Sequence, residues 1–269
     1  LGEIDRLAKK VKPNLVLITN AQRDHQEFLD SVSITATENG MAIKALQSGG
    51  TTVIPADSDY GEVWQVQAQS VGSDVIRFGI HDERKNLFAK NNKYILGKIV
   101  QSYPLIMEVR EKAWSDSLMI NLQGIGKQFA LNALSSLAVT DSLRIPHKKI
   151  VKSLEDFLPI DGRGAIYPFK RGVFFVDDTY NANPDSMLAA IEALSELQVI
   201  KCMVLADMGE LGEKSGHSHL EVLTKASQRM EKVFLFGEEF AKASRKLRVG
   251  SHCVNDSLLI SEINNWVDR

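Results

Sequence analysis

After residue 172 the chain repeats one pattern: a short apolar run, a polar turn, then an amphipathic stretch. The periodicities predict strand Val173–Val176, helix Met187–Leu197, strand Cys202–Leu205, helix His219–Met230, strand Val233–Phe236, helix Phe240–Leu247 and helix Leu258–Val267. Strands separated by helices pair in parallel through crossovers, so this alternation predicts a parallel, Rossmann-like sheet. Open α/β sheets bind ligands in the loops at the carboxyl ends of their strands. The loops after the first two of these strands are crowded with polar residues and are the first places to look for a site.

The preceding part is also α/β. It predicts helix Ile4–Lys10, strand Asn14–Thr19, a helix from Val32 to Leu46 ending at Gly49-Gly50, strand Thr51–Pro55, helix Tyr60–Ser70 and strand Asp74–Phe78. Residues Asn86 to Asn121 alternate apolar and polar positions between turn residues, the pattern of antiparallel strands. Helices Gly126–Leu143 and Lys148–Phe157 follow. Pro159-Ile160-Asp161-Gly162-Arg163-Gly164 then breaks every periodicity, and the expected domains are 1–159 and 160–269. No internal repeat or low-complexity tract occurs.

Composition narrows the class of protein. A net charge of -2 over 269 residues, with no basic stripe, argues against a general nucleic-acid binder. No apolar run approaches the roughly 18 residues that span a bilayer. Cys202 and Cys253 have no metal-binding spacing, and so few cysteines suit a reducing, cytoplasmic setting. Leu1-Gly2-Glu3-Ile4 is neither a signal peptide nor a start, and reads as the interior of a longer chain.

Four constellations carry chemistry. The first is Asp177-Asp178-Thr179-Tyr180-Asn181-Ala182-Asn183. Asn183-Pro184-Asp185 reads as a helix start: a capping amide, a first-turn proline, then an acid at the positive end of the dipole. A plain turn is the alternative. Two adjacent carboxylates repel, though, and a turn does not need both; one suits ribose hydroxyls. The second is Asp207-Met208-Gly209-Glu210-Leu211-Gly212 with His217 and His219, where a glycine-rich connection is the plain alternative. The third is Gly162-Arg163: glycine permits an unusual backbone angle, and the arginine fork suits phosphate. The fourth is Thr19-Asn20, Asp24-His25 and Glu38, in which carboxylate and imidazole suit magnesium or its water shell, and a surface glutamate is the plain alternative for Glu38.

In this order and at this spacing, these motifs resemble the Mur ligase family, and within it the branch that adds D-alanyl-D-alanine. Asp177 to Met187 is the most specific of them; Ala206 to Gly212 with His219, Thr19-Asn20 with Asp24-His25, Gly126 with Asn132-Ala133-Leu134, and Gly162-Arg163 complete the set. The resemblance covers essentially the whole chain. It implies an α/β protein: the remainder of a central ATPase domain, then a Rossmann-like domain with a mostly parallel sheet. It implies ATP and Mg2+ as cofactors, and UDP-N-acetylmuramoyl-tripeptide and D-Ala-D-Ala as substrates. The tripeptide carboxylate would become an acyl phosphate that the dipeptide amine attacks. A monomer that binds neither nucleic acid nor membrane is expected. By position, His25, Glu38 and Arg163 would be catalytic, with His25 and Glu38 on magnesium. Arg163, Asp178, Tyr180 and Asn132 would hold phosphate, ribose and adenine. Asn181, Asn183, Asp207, Glu210 and His219 would face the substrates.

Three departures from the family pattern qualify this. Glu38 stands where many members carry a carbamylated lysine, and a carboxylate supplies similar anionic oxygens. Gln128-Phe129 replace the usual His-Asn, which weakens the adenine contact, although Phe129 could stack on a base. No Gly-x-x-x-x-Gly-Lys-[Ser/Thr] loop occurs; in the family it precedes the position of Leu1, as does the UDP-sugar domain, and the final strand and helix lie beyond Arg269. The expectation is a piece truncated at both ends and inactive alone. Another Mur-type amino-acid ligase and a degenerate nucleotide-binding module are the alternatives.

Overall fold

In the computed structural model, residues 1–80, 93–111, 114 and 116–268 are described. The chain forms two compact units, residues 1–22 with 31–158, and residues 23–30 with 159–269.

The first unit is built on a six-stranded sheet whose spatial order follows the sequence: β1 (Leu15–Leu17), β2 (Thr51–Pro55), β3 (Asp74–Ile80), β4 (Lys93–Ser102), β5 (Leu105–Glu111) and β6 (Leu118–Leu122). β1 to β4 pair in parallel, while β5 and β6 are antiparallel additions. The antiparallel strands expected between Asn86 and Asn121 are β4, β5 and β6; burial alternates along β5 and β6, whereas Tyr94, Ile95, Leu96 and Gly97 of β4 are all buried, and residues 86–92, 112, 113 and 115 lie outside the described ones.

Strand period 2 divides the buried side chains of this sheet between two cores. Val53, Phe78, Ile95 and Met107 pack with Ala130, Leu134 and Leu137 of α5 (Gly126–Ser142) and with Ile150 of α6 (His147–Glu155). Val16 and Ile54 pack with Ala36 of α3 (Val32–Gly40), Ile43, and Trp64 of α4 (Gly61–Ser70). α1 (Glu3–Val11) joins α3 through Glu38. The sheet is thus covered on both faces, as parallel strands require. The helix expected to run from Val32 to Leu46 stops at Gly40, and a separate turn covers Ile43–Ala45. A Cβ at Gly40 would lie 2.0 Å from Gln67 Oε1, so α4 approaches the end of α3 more closely than any other residue there would allow.

In the second unit, α2 (Gln26–Leu29) comes from the early segment. β7 (Ala165–Pro168) and β8 (Phe174–Asp177) make a two-stranded antiparallel sheet. β9 (Cys202–Ala206), β10 (Lys232–Phe236) and β11 (Ser251–Cys253) make a parallel one in the order β11-β10-β9. α7 (Pro184–Ser195), α8 (Ser215–Arg229) and α9 (Glu238–Leu247) cover a core of Ile191, Leu205, Leu223, Leu235 and Phe240. α10 (Asp256–Val267) packs against β10 and β11.

The Rossmann-like expectation holds for β9 to β11, but the strand predicted at Val173–Val176 pairs with β7 rather than within that sheet. Its partner is the nearest extended stretch, reached through left-handed residues Arg171 and Gly172. Closing so short a loop carries a small entropy cost compared with a long crossover.

Candidate functional site

The loop after β8 is bounded by its own chemistry. Asp177 closes the strand, and Asn183 opens α7 with a reciprocal capping box: the Ser186 amide donates to Asn183 Oδ1 at 2.8 Å, and the Asn183 amide donates to Ser186 Oγ at 3.0 Å. Pro184 fills the first helical position. The Asn183 carboxamide oxygen, expected to face substrate, is thus spent on the helix, and the residue is buried. Asn181 and Tyr180 remain exposed, Tyr180 to 70%.

Gly162-Arg163 folds onto this loop. The Gly162 amide donates to Asp177 Oδ2 at 2.9 Å, the Tyr180 amide donates to Gly162 O at 3.1 Å, and the Gly164 amide donates to Asp177 O at 2.7 Å. Gly162 has φ +75, and a Cβ there would meet Tyr180 Cβ at 3.1 Å; both the backbone angle and the close approach need glycine. The Arg163 guanidinium then lies 4.0 Å from the centroid of the Tyr180 ring. Stacking of this kind holds the planar fork while leaving its edges to a ligand.

The adjacent carboxylates now separate in role. Asp177 accepts from Thr179 Oγ1 at 2.6 Å and from the Gly162 amide, and these bonds hold its carboxyl below the usual range. Asp178 stays at the surface, yet the protein around it displaces enough water to raise its carboxyl; Arg163 opposes the rise and Asp177 adds to it. One acid builds the loop, and the other is presented beside a cation.

The loop after β9 meets segment 23–30. Both Asp207 oxygens are used at the start of α9, accepting from the Glu239 and Phe240 amides at 2.9 Å each. A carboxylate there satisfies orphan amides and the positive end of the dipole, filling the place where a phosphate would bind. His219 is 0% exposed. Its Nε2 accepts from the Met208 amide at 3.0 Å, so its Nδ1 carries the proton and donates to Ser215 O at 2.7 Å. Of the two residues expected to face substrate, His219 is therefore an internal brace, while Asp207 caps α9 from the surface. α8 begins at Ser215, four residues before the predicted start, which buries His219 in its first turns and leaves His217 exposed.

Glu210, at φ 56, has other partners. Its carboxylate makes a short hydrogen bond with His25 Nδ1, its carbonyl accepts from the Glu27 amide at 3.1 Å, and Lys214 Nζ donates to Asp30 O at 3.2 Å. The bond to Glu210 raises the His25 imidazole above its ordinary value, against an opposing effect of burial, and the Asp24 charge adds to the rise. Arg23 donates to Asp185 and Glu221. Sequence reading did not single out Arg23 or Glu221; the partners lie 162 and 198 residues apart, and no local pattern pairs them.

Two expected site residues lie in the first unit. Glu38 is buried, and its Oε1 accepts from the Gly2 and Ile4 amides at 2.8 and 3.3 Å, capping α1. Asn132 is exposed on α5. Phe129 lies against Gly124, with ring atoms 2.6 Å from where a Cβ would sit, and 6.3 Å from the Phe157 ring. The Phe129 ring is half-buried. Among the described residues no group of three or more His, Cys, Asp or Glu has metal-holding geometry.

A polar loop after β8, a glycine-arginine pair folded onto it and a second loop braced after β9 belong to an α/β ligand-binding class. Family models for the Mur ligase middle domain and for the Mur ligase glutamate ligase domain match residues 1–140 and 162–264. The chain belongs to the Mur ligase family. It is 27% identical over 267 residues to the UDP-N-acetylmuramoyl-tripeptide–D-alanyl-D-alanine ligase of Buchnera aphidicola subsp. Acyrthosiphon pisum, covering 98% of this chain and 56% of the relative. It is 26% identical over 264 residues to the Escherichia coli enzyme of the same name, covering 97% and 56%. The chain therefore spans about half the length of these curated relatives. Its fold matches a crystal structure of MurF from Acinetobacter baumannii with a TM-score of 0.83 at 24% identity, over 98% of this chain and 55% of that one. It matches MurF ligase from Thermotoga maritima, solved in complex with ADP, with a TM-score of 0.78 at 21% identity, over 100% and 58%.

Proposed function

We propose that this chain is part of an ATP-dependent amide ligase that joins D-alanyl-D-alanine to UDP-N-acetylmuramoyl-tripeptide, in the cytoplasm and as a monomer. The observation that carries this reading is the Arg163–Tyr180 stack beside Asp178, knitted together by Gly162 and Asp177. A carboxylate and an amine do not condense in water, and ATP supplies the phosphoryl group that turns the carboxylate oxygen into a leaving group. Arg163 offsets negative charge on the transferred phosphoryl oxygens, its fork already oriented by Tyr180. Asp178 accepts hydrogen bonds from ribose hydroxyls. Tyr180 and Asn181 stay at the surface, where they can close over bound substrate. No helix among the described residues is long and apolar enough to cross a membrane.

Each residue expected on magnesium has partners within its own unit: His25 bonds Glu210, and Glu38 accepts from the Gly2 and Ile4 amides. We retain Mg2+ as a companion of the nucleotide, held mainly by phosphate oxygens and water, and route no step through it.

The test measures tripeptide-dependent phosphate release with ATP, Mg2+ and D-Ala-D-Ala. The 269 residues contain no phosphate-cradling Gly-x-x-x-x-Gly-Lys-[Ser/Thr] loop, so the chain alone is expected to give no release. Joined to the amino-terminal half of a D-Ala-D-Ala-adding relative, it is expected to turn over. Release from the chain alone would overturn the expectation that it is inactive by itself; no turnover of the joined protein, or preference for a single amino acid over D-Ala-D-Ala, would overturn the assignment.

A further inference from the structure

Arg23 belongs to none of the motifs with an assigned role, yet its guanidinium and its backbone amide are both committed to carboxylates. Asp185 accepts from the Arg23 amide at 2.7 Å and from Nε at 2.8 Å, with Nη2 2.6 Å away. Glu221 accepts from Nη1 at 2.7 Å and Nη2 at 3.3 Å. Asp185 lies in the first turn of α7, two residues after the Asn183 cap, and Glu221 lies in α8. One cation therefore joins two helices of the second unit at the point where segment 23–30 enters it. The bonds that follow in that segment, His25 with Glu210, Glu27 with Glu210 and Lys214 with Asp30, all start from a chain whose first residue is held this way.

An isolated surface ion pair contributes little, because side-chain entropy and solvent screening offset the attraction. This cluster differs in three respects. The fork is bidentate, the side chains are only 29%, 28% and 36% exposed, and the same carboxylate also receives the backbone amide. Removing the cation would leave two converging carboxylates uncompensated. Lysine would keep the charge but not the planar fork that reaches both acids at once.

We propose that Arg23 is a positioning residue: it seats segment 23–30 on α7 and α8, so that the His25–Glu210 bond and the start of the signature helix keep one arrangement. The consequence for turnover rests on the ligase reading above; the clamp itself does not.

Backbone hydrogen exchange of the 269-residue chain tests the clamp in the wild type, Arg23→Lys, Arg23→Gln and Asp185→Asn, with α9 and β10 as internal controls. In all three variants, amides of 23–30 and of the first turn of α7 are expected to exchange about tenfold faster, with the controls unchanged. Wild-type exchange in Arg23→Gln, full rescue by Arg23→Lys, or equal acceleration in the controls would overturn the proposal. In the reconstituted ligase, Arg23→Lys is expected to lower kcat with the KM for ATP kept within about twofold. A raised KM at unchanged kcat would place Arg23 on the nucleotide and also overturn it. The exchange arm uses no substrate, so failure of the ligase reading and failure of the clamp give different results.

Discussion

Glu38 illustrates how a residue's neighbours decide its role. From the sequence it is an anionic oxygen at a position the family uses for catalysis; in the fold its carboxylate caps α1 through Gly2 and Ile4. A cap needs an acceptor, whereas a magnesium ligand needs a charge, so two substitutions separate the roles. Glu38→Gln is expected to keep nearly all stability in urea unfolding, while Glu38→Ala loses about 1 kcal/mol, as for other lost caps. If Gln is as damaging as Ala, the charge matters and capping does not explain the residue. The same logic divides Asp177 from Asp178, identical side chains one position apart. Their employment was legible only as far as the argument that a turn does not need both. Which acid builds the loop depends on where the Gly162 amide arrives, and that is fixed by a contact 15 residues away.

Helices were read well where the signal was local. Asn183-Pro184-Asp185 starts α7 as its capping chemistry demands, and strand Thr51–Pro55 matches β2 at both ends. The sequence periodicity does not mark β7, α2 or β11, each of four residues or fewer, although it does mark the equally short β1 and β8. α9 shows a start written partly elsewhere. It begins after Gly237, which offers no side chain to the cap, and its amides are satisfied by Asp207 from the preceding crossover. Gly237 has φ +105, and a Cβ would sit 2.3 Å from Asp207 Cγ. Gly237→Ala should therefore strain the backbone and expel the cap together, costing about 2 kcal/mol or more. Thermal unfolding checks this: a melting temperature equal to wild type would show that Asp207 is not the cap that sets α9.

At the scale of the whole molecule, the chain does not divide at a single point. The composition break at Pro159 to Gly164 separates the two units along most of the sequence, but residues 23–30 fold with the second one. A polypeptide of residues 159–269 alone should then leave Asp185 and Glu221 without their cation. Adding a peptide of residues 23–30 is expected to raise its melting temperature in a concentration-dependent way, since a ligand that binds only the folded state stabilises it by mass action. No rise at saturating peptide would mean that the segment contributes nothing to the second unit.

The sequence by itself determined what depends on a few neighbouring residues: alternating periodicities, the capped start of α7, the order of the motifs, and through them the α/β class and the Mur ligase family. The tertiary structure decided what depends on residues far apart in the chain. It brought Gly162 to Tyr180, closed Asp207 over α9, buried His219, turned Glu38 into a cap, and gave Arg23 partners 162 and 198 residues away. Hydrogen bonds and ion pairs form between groups that meet in space, and which groups meet is set by the packing of the whole unit rather than by any local run of side chains.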